Sequence, residues 1–542
     1  MATSRPAAPS MVASIVLVAA VALALRLCLI LGYPPAATPE IAFYRGDAPA
    51  YHAFATSLVA GRPYDQGLPF HPPLLAWIAA PIYWLTGGGG ATLFLALRAW
   101  LAVLGTGLVV LVLVLARRLA GPVVGLWAGT LAAIHFGLAA SSTTLNNDGP
   151  NALLGLAAIV LVLLARNGDR QPAMGRWHRW RPLALLAGAG VLLGLAALCR
   201  AEDQLLVLLV VGWVVGWVEV GGGGAGSWRR RLPGGAAVLA GALVAITPWA
   251  VRNAVVIDGF NRARAGVIAA PLDRFAPVSA YGGLNFALAN HPEADGGFSR
   301  SPLPSPGGNA ELNLTNPEHL RYLNDGFAIG LGFIAADPGH WLRLVGRKLA
   351  ISAEGLRLGY SARDRPAGLR GLRRAVDFMG PERAWLVIPH LLLIVLGIIA
   401  LRRRVGGAVT LLLHLPALVK LVAVIAFFGY VRLALAAMPV LLIDVALGLA
   451  VIGSFIVERW PGHGASEAED RQPVPWAASA ATAGAILLLA LALADGGWLA
   501  QHGQAIRYLG ETELGGQRVN LDGDLQLWPA GEPAPPGVQG LE

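Results

Sequence analysis

This sequence predicts an all-α polytopic membrane protein. It expects about eleven transmembrane helices, interfacial helices on the outer face, one long extracytoplasmic loop and a small extracytoplasmic C-terminal tail. Three observations predict it. Charged residues are 13% of the 542-residue chain, well below the roughly 25% of soluble domains. Hydrophobic residues are 56% and mean hydropathy is +0.60, so there are too few charges to coat a water-facing surface. Apolar runs of spanning length, about 20 residues, recur along the chain.

In order, these runs are 11–32, 91–116, 122–140, 150–165, 182–198, 204–220, 235–256, 384–401, 407–427, 433–457 and 476–494. The first is too long for the apolar core of a signal peptide and reads as an uncleaved helix. Lys and Arg in short loops set the orientation. With the N-terminus cytoplasmic, the inner loops hold sixteen basic residues, among them Arg117, Arg118, the five from Arg166 to Arg181, Arg229 to Arg231 and Arg402 to Arg404. The short outer segments hold four: Arg45, Arg62, Arg200 and Arg432. Counting 71–86 (HPPLLAWIAAPIYWLT) as a span would invert the loops that follow. It reads instead as a helix in the outer interface, where Trp77, Tyr83 and Trp84 suit the headgroup region.

The chain therefore divides into an N-terminal transmembrane module, 1–256, whose first loop is 33–90; an extracytoplasmic loop, 257–383; C-terminal transmembrane helices, 384–494; and an extracytoplasmic tail, 495–542. Within the long loop, 340–358 has an amphipathic rhythm and reads as a second interfacial helix. The basic cluster Arg363 to Arg374 falls outside, as long loops tolerate. The tail holds short strand-like pieces. Cys28 and Cys199 lie in or beside apolar runs, which excludes a disulfide framework and favours small buried side chains. Basic residues scattered over short loops make nucleic acid an unsuitable partner; the bilayer is the partner that the composition demands.

Ionisable groups inside spans mark pathways in transporters. Here they are few: Arg26, His135, His414, Lys420 and Asp444. Lys420 and Asp444, on consecutive helices, are expected to neutralise each other. Polar residues gather instead at the outer face. Asp47 precedes a helical stretch, 48–60, in the position of a capping acid, with Tyr51 and Phe54 following at helical spacing. His71 precedes Pro72 and Pro73, which end one element and begin the next. In the second outer loop, SSTTLNNDGP, Asp148 also stands at a helix start. Two carboxylates facing one cavity beside Arg200, Arg252 and Arg432 suit glycosyl transfer: an acid to activate the acceptor, and cations to hold a phosphate leaving group.

These patches resemble the membrane-embedded GT-C glycosyltransferases that take a sugar from a polyprenyl-phosphate carrier, such as bacterial lipid A aminoarabinose transferases and protein O-mannosyltransferases. GDAPAY at 46–51 and HPPL at 71–74 are similar to the family's acidic first loop and the segment after it. Asp148 matches the acid before the fourth span. PWAVRN at 248–253 with PVSAYGGLNFALANHPEADGG at 277–297, DPGHWLRLVGRKL at 337–349 and YVRLALAAMP at 430–439 complete the likeness, which covers roughly 11–457. The resemblance implies a GT-C-like bundle in the bacterial inner membrane with its site on the periplasmic side, and an inverting transfer to a glycan, lipid or protein acceptor. Asp47 would be the base and Asp148 would support it. His71, Arg200, Arg252, Lys348 and Arg432 would bind the donor phosphate, and Tyr51, Asn285 and Asn290 would line the substrate cavity. No cofactor is implied, and no dense ligand cluster supports a divalent metal. Two other readings share the same groove: a flippase or transporter of lipid-linked sugars, and a non-catalytic subunit of a glycan assembly complex.

Overall fold

The computed structural model describes residues 10–31, 47–64, 68–88, 90–168, 176–216, 227–298, 303, 312–358, 387–458, 511–514 and 517–520. The expected span 476–494, the basic cluster 363–374, and the tail apart from one hairpin lie outside the described residues.

The elements follow one another as α1 (Met11–Leu31), α2 (Ala48–Val59), α3 (Leu74–Thr86), α4 (Gly90–Ala120), α5 (Pro122–Ile134), α6 (Phe136–Ser141), α7 (Asp148–Gly168), α8 (Arg176–Cys199) and α9 (Asp203–Gly216). Then come α10 (Ser227–Ala263), α11 (Gly282–Ala289), α12 (Pro317–Ala336), α13 (Pro338–Leu358), α14 (Val387–Ala426) and α15 (Val431–Glu458), and an antiparallel hairpin, β1 (Glu511–Leu514) with β2 (Gln517–Asn520). Among the described residues, six helices are long and apolar enough to cross a membrane, and four apolar helices are shorter. The protein is a multi-pass helical membrane protein.

Among the described residues, the run 122–140 breaks at His135, whose backbone is extended (ψ 110°). The 40 residues of α14 would make a rod of about 60 Å at 1.5 Å per residue, twice the hydrocarbon core. The helix is interrupted at Gly406, at φ 84° and ψ 160°, a region open essentially to glycine alone. Asp444 of α15 shows what the break does. Its backbone lies against Gly397 so closely that a Cβ there would collide with it. Its Oδ2 also bonds His414 Nε2 at 2.8 Å. In a straight helix Gly397 and His414 would lie about 25 Å apart. The two arms therefore fold toward each other at Gly406, and the runs 384–401 and 407–427 correspond to its two arms.

Small residues allow close helix contact. Gly190 and Gly194 of α8 press on the backbone of Val238 and Ala242 in α10, and Gly241 presses back on Ala187, the spacing that lets membrane helices approach. The largest apolar cluster joins α1, α4, α5, α7, α14 and α15. At one end of this bundle the α4–α5 turn at Gly121 sits beside Arg404, so the Arg117/Arg118 and Arg402 to Arg404 clusters share a side. The polar cavity described below is built at the other end.

The 13-residue α3 spans about 20 Å, too short to cross, and exposes Trp84 and Leu85. Pro73 caps its start. The amphipathic stretch expected at 340–358 is α13. It buries Leu344, Lys348 and Ile351 on one face and exposes Leu342 and Leu349 on the other.

Candidate active site

Asp47 precedes α2, yet its side chain makes no capping hydrogen bond. It turns instead to Arg432, at the start of α15: both Arg432 Nη1 and Nη2 lie 3.4 Å from Asp47 Oδ2. The capping role is therefore absent here and the acid is spent on an ion pair. Burial acts to raise the Asp47 carboxyl. Arg432, then His71 and Arg200, outweigh it and hold the group below the usual carboxylate range.

Asp47 lines a cavity of about 670 Å³ together with Tyr51, His71, Arg200, Glu202, Asn285 and Arg432. Two segments place the first-loop residues. Tyr64 donates its hydroxyl to the Pro72 carbonyl at 2.9 Å, which ties the end of α2 to the proline pair. His71 then sits among the rings of Tyr51, Phe54 and Tyr281, at 5.3 to 5.9 Å between centroids. Tyr51 is buried, and burial together with the Asp47 charge pushes its hydroxyl well above its ordinary pKa, so it stays a neutral hydrogen-bonding group.

Arg200 occupies the turn between α8 and α9. Its Nη1 pairs with Asp148 Oδ1, and its Nε donates to Glu202 Oε1 at 2.6 Å. Burial acts to lower Arg200, but Glu202 and Asp148 more than reverse it, so the guanidinium stays charged. Nη2 makes no hydrogen bond among the described residues, and Arg200 lines the cavity. Arg200 thus presents a cation held from behind by two acids. The turn is fixed to the start of α7: Asn147 Nδ2 donates to the Cys199 carbonyl at 3.3 Å, and the buried Cys199 thiol donates to the Asn147 carbonyl. Arg26 (to Ser142 Oγ, 2.7 Å) and Arg98 (to the Thr143 carbonyl, 2.9 Å) brace the same segment from below.

Behind this turn lies a charge network that sequence reasoning missed. Lys420 donates to Glu202 Oε1 at 3.1 Å and to Asp203 Oδ1 at 2.8 Å, and Asn151 donates to Asp203 Oδ2 at 2.6 Å. The expected Lys420–Asp444 pair does not form. Asp444 faces His414, six residues before Lys420 on α14, and Lys420 lies nearer the cavity end, where α9 begins. The visible signal was the acid pair Glu202-Asp203, one residue beyond Arg200, between two apolar runs.

Four of the expected site residues stand off the cavity wall. Asp148 is 3% exposed and holds Arg200 from behind. Arg252 lies over the Trp249 ring, 4.6 Å from its centroid, and donates to the Tyr64 carbonyl. Its neighbours in PWAVRN explain why: Trp249 Nε1 donates to the Val278 carbonyl at 2.9 Å and Asn253 Nδ2 to the Ala276 carbonyl at 2.7 Å. The motif pins 276–278, a stretch of cavity wall. Lys348 has no exposed surface; its Nζ donates to Asn290 Oδ1 at 3.0 Å and the Ile425 carbonyl at 3.3 Å, and burial brings it down to about 7. Asn290 joins α11, α13 and α14 by accepting from Lys348 and Trp341 and donating to the Ala426 carbonyl. Asn285, by contrast, lines the cavity.

Asp47 faces Arg432 and Asp148 faces Arg200. Among the described residues no group of three or more His, Cys, Asp or Glu could hold a metal ion.

Fold and site define a polytopic helical membrane protein with an acid–arginine cavity at one end of its bundle. The chain is similar to the apo oligosaccharyltransferase of Archaeoglobus fulgidus, at 17% identity and TM-score 0.44, over 91% of this chain and 56% of that one. It is likewise similar to AglB from the same organism in complex with an inhibitory peptide and dolichol-phosphate, at 17% identity and TM-score 0.43, over 91% and 56%. ArnT from Cupriavidus metallidurans bound to undecaprenyl phosphate is similar at 17% identity and TM-score 0.32, over 82% of this chain and 79% of that one. The chain spans about half the length of the archaeal proteins. No family model matches the chain, and no curated protein does.

Proposed function

We propose that the protein is an inverting glycosyltransferase that moves a sugar from a polyprenyl-phosphate donor to an acceptor. The observation that carries this reading is the cavity that joins Asp47, Arg432, Arg200 and His71 in one space. Phosphate oxygens bind the planar fork of Arg432 and the free edge of Arg200. The donor phosphate draws Arg432 away from Asp47, and loss of that cation raises the carboxylate toward the basicity a proton acceptor needs. The acceptor hydroxyl then attacks the anomeric carbon from the face opposite the phosphate. As the new C–O bond forms and the C–O bond to phosphate breaks, Asp47 takes the hydroxyl proton. The lipid phosphate leaves as an anion between the two arginines. The step is balanced without a cofactor.

In this reading Asp148 acts through Arg200, and Tyr51 and Asn285 face the substrates. Lys348, Asn290 and Arg252 fix the walls. The module 1–256 and the helices of 384–494 form the carrier groove in the plasma (inner) membrane. The N-terminus is cytoplasmic. The loop 257–383 covers the extracytoplasmic cavity, and the tail 495–542 follows on that side. The acceptor is a glycan, lipid or protein.

Transfer of a labelled sugar from synthetic polyprenyl-phosphate donors by the purified protein tests the reading. Product with inverted anomeric configuration supports it. Donor movement across vesicles without product would favour a flippase, and neither activity would leave a non-catalytic subunit.

A further inference from the structure

Glu202 is a cavity-lining carboxylate with its two oxygens in different states. Oε1 is shared by two cations, Arg200 Nε at 2.6 Å and Lys420 Nζ at 3.1 Å. No side chain among the described residues bonds Oε2, and Glu202 keeps 20% of its side chain exposed on the cavity. The supporting groups are themselves buried: Lys420 is 5% and Asp203 3% exposed. Burying a lysine between two acids, with Asn151 completing Asp203, is costly and adds little net stability compared with an apolar packing. What the arrangement does achieve is to fix one oxygen of this cavity-lining carboxylate and leave the other without a side-chain partner among the described residues.

We propose that Glu202 is a specificity-determining residue whose Oε2 accepts a hydrogen bond from a hydroxyl of the sugar carried by the donor. Lys420 is the positioning residue that holds it there. This rests on the reading of the cavity as a polyprenyl-phosphate-sugar site. The sugar follows from the neighbourhood. Arg200, which bonds Glu202 directly, is one of the two phosphate-binding cations, and in the donor the anomeric carbon is one oxygen away from phosphorus. The group that meets the carboxylate beside the clamp is therefore the sugar ring, not the distant lipid. The hydroxyl follows from the charge state. Burial acts to raise Glu202, but Arg200 and Lys420 keep it well below the usual carboxylate range, and an ionised carboxylate only accepts. A sugar without that hydroxyl leaves a desolvated carboxylate oxygen unmatched, the situation in which polar sites discriminate strongly.

The test uses the full-length protein in lipid nanodiscs. Polyprenyl-phosphate sugars, the parent and a series of single-deoxy analogues, compete with a fluorescent donor. For the wild type, one deoxy position should lose roughly tenfold to a hundredfold in affinity, the scale of a hydrogen bond to a charged group. In Glu202→Gln the parent should weaken, and the parent-to-deoxy ratio at that position should fall to within about twofold, because the charged acceptor is gone. Lys420→Met should narrow the ratio, and Lys420→Arg should restore it. A purely structural Lys420 would change folded yield and melting temperature while leaving the ratio intact. Equal binding of all deoxy analogues by the wild type overturns the proposal, as does a ratio that persists in Glu202→Gln. The proposal and the parent reading fail separately. Discriminating donor binding without transfer to any acceptor sinks the glycosyltransferase reading alone. Transfer with no deoxy sensitivity sinks the Glu202 assignment alone. No binding of any such donor sinks both.

Discussion

Both terminal nitrogens of Arg432 rest 3.4 Å from a single oxygen of Asp47, although 385 positions separate the residues. The pair joins the start of α2, the first short helix after α1, to the first turn of α15, so the cavity wall brings together early and late parts of the chain. It also couples the acid to the cation assigned to the donor phosphate in the proposed reaction: whatever claims Arg432 changes Asp47.

Arg432→Ala should therefore act twice. Donor binding should weaken by about 1.5–3 kcal/mol, the range for a charged hydrogen bond. The Asp47 carboxyl, now held below its ordinary value, should rise. A depressed carboxyl contributes while ionised, above the unfolded value of about 3.9, and the contribution is lost as pH falls through the folded value. With Arg432 gone the carboxyl titrates nearer its unfolded value and that contribution shrinks. The acid limb of kcat/KM, which reports the free enzyme, should shift upward in Arg432→Ala relative to wild type; an unmoved limb would show that the pair does not set Asp47.

Lys420 and Asp203 should be energetically coupled, whereas Lys420 and Asp444 should not. A double-mutant cycle with Lys420→Met and Asp203→Asn should give a coupling of about 0.5–3 kcal/mol. The same cycle with Asp444→Asn should be additive to within about 0.5 kcal/mol. Chemical unfolding in nanodiscs measures both, and coupling to Asp444 would contradict the observed pairing.

Asn253→Ala removes the donor that caps the Ala276 carbonyl in a fully buried position. Leaving such an acceptor unpaired costs about 1–3 kcal/mol, so the melting temperature should fall. Retention of wild-type stability would show that PWAVRN does not pin the wall.

Lys348 gives a pH dependence of stability. Its folded value, about 7, lies below the unfolded one of about 10.4. Between these values the unfolded chain binds the extra proton, so stability rises with pH. The full penalty applies below 7. Lys348→Met should flatten the stability curve between pH 7 and 10; an unchanged slope would mean that Lys348 stays charged in place.

The apolar runs made most of the helices readable, because a bilayer leaves few alternatives to a helix for 20 apolar residues. The pair at 384–401 and 407–427 shows this, including the break that Gly406 makes. Pairing across the bundle was less readable. Lys420 and Asp444 sit on neighbouring helices, but partnership depends on axial height, and His414 meets Asp444 first. The amphipathic rhythm of 340–358 was legible, but the face that carries Lys348 was not: the helix turns it to the same side as the buried Leu344 and Ile351. Asp47 and Arg432 were legible as separate residues with matching chemistry. Their contact was not, because nothing in sequence spacing encodes a meeting across 385 positions. Glu202 was in plain view beside Arg200 but reads as an ordinary polar turn until Lys420 arrives from α14.

In the proposed reaction Asp47 serves as the base and not as a helix cap. Its side chain makes no cap hydrogen bond, so Asp47→Asn, which keeps the size and removes the proton acceptor, should lower the melting temperature only by what the charge pair with Arg432 contributes. The transfer rate should fall by about 10²–10⁴, the contribution of general-base help. Asp148→Asn should lower the rate less, because Asp148 acts through Arg200. The decisive measurement is sugar transfer and thermal unfolding on one purified preparation of Asp47→Asn in nanodiscs. Turnover lost far beyond any fall in the folded fraction is the expected result. Wild-type turnover, or turnover that falls only in step with the folded fraction, would contradict the assignment of Asp47 as the base.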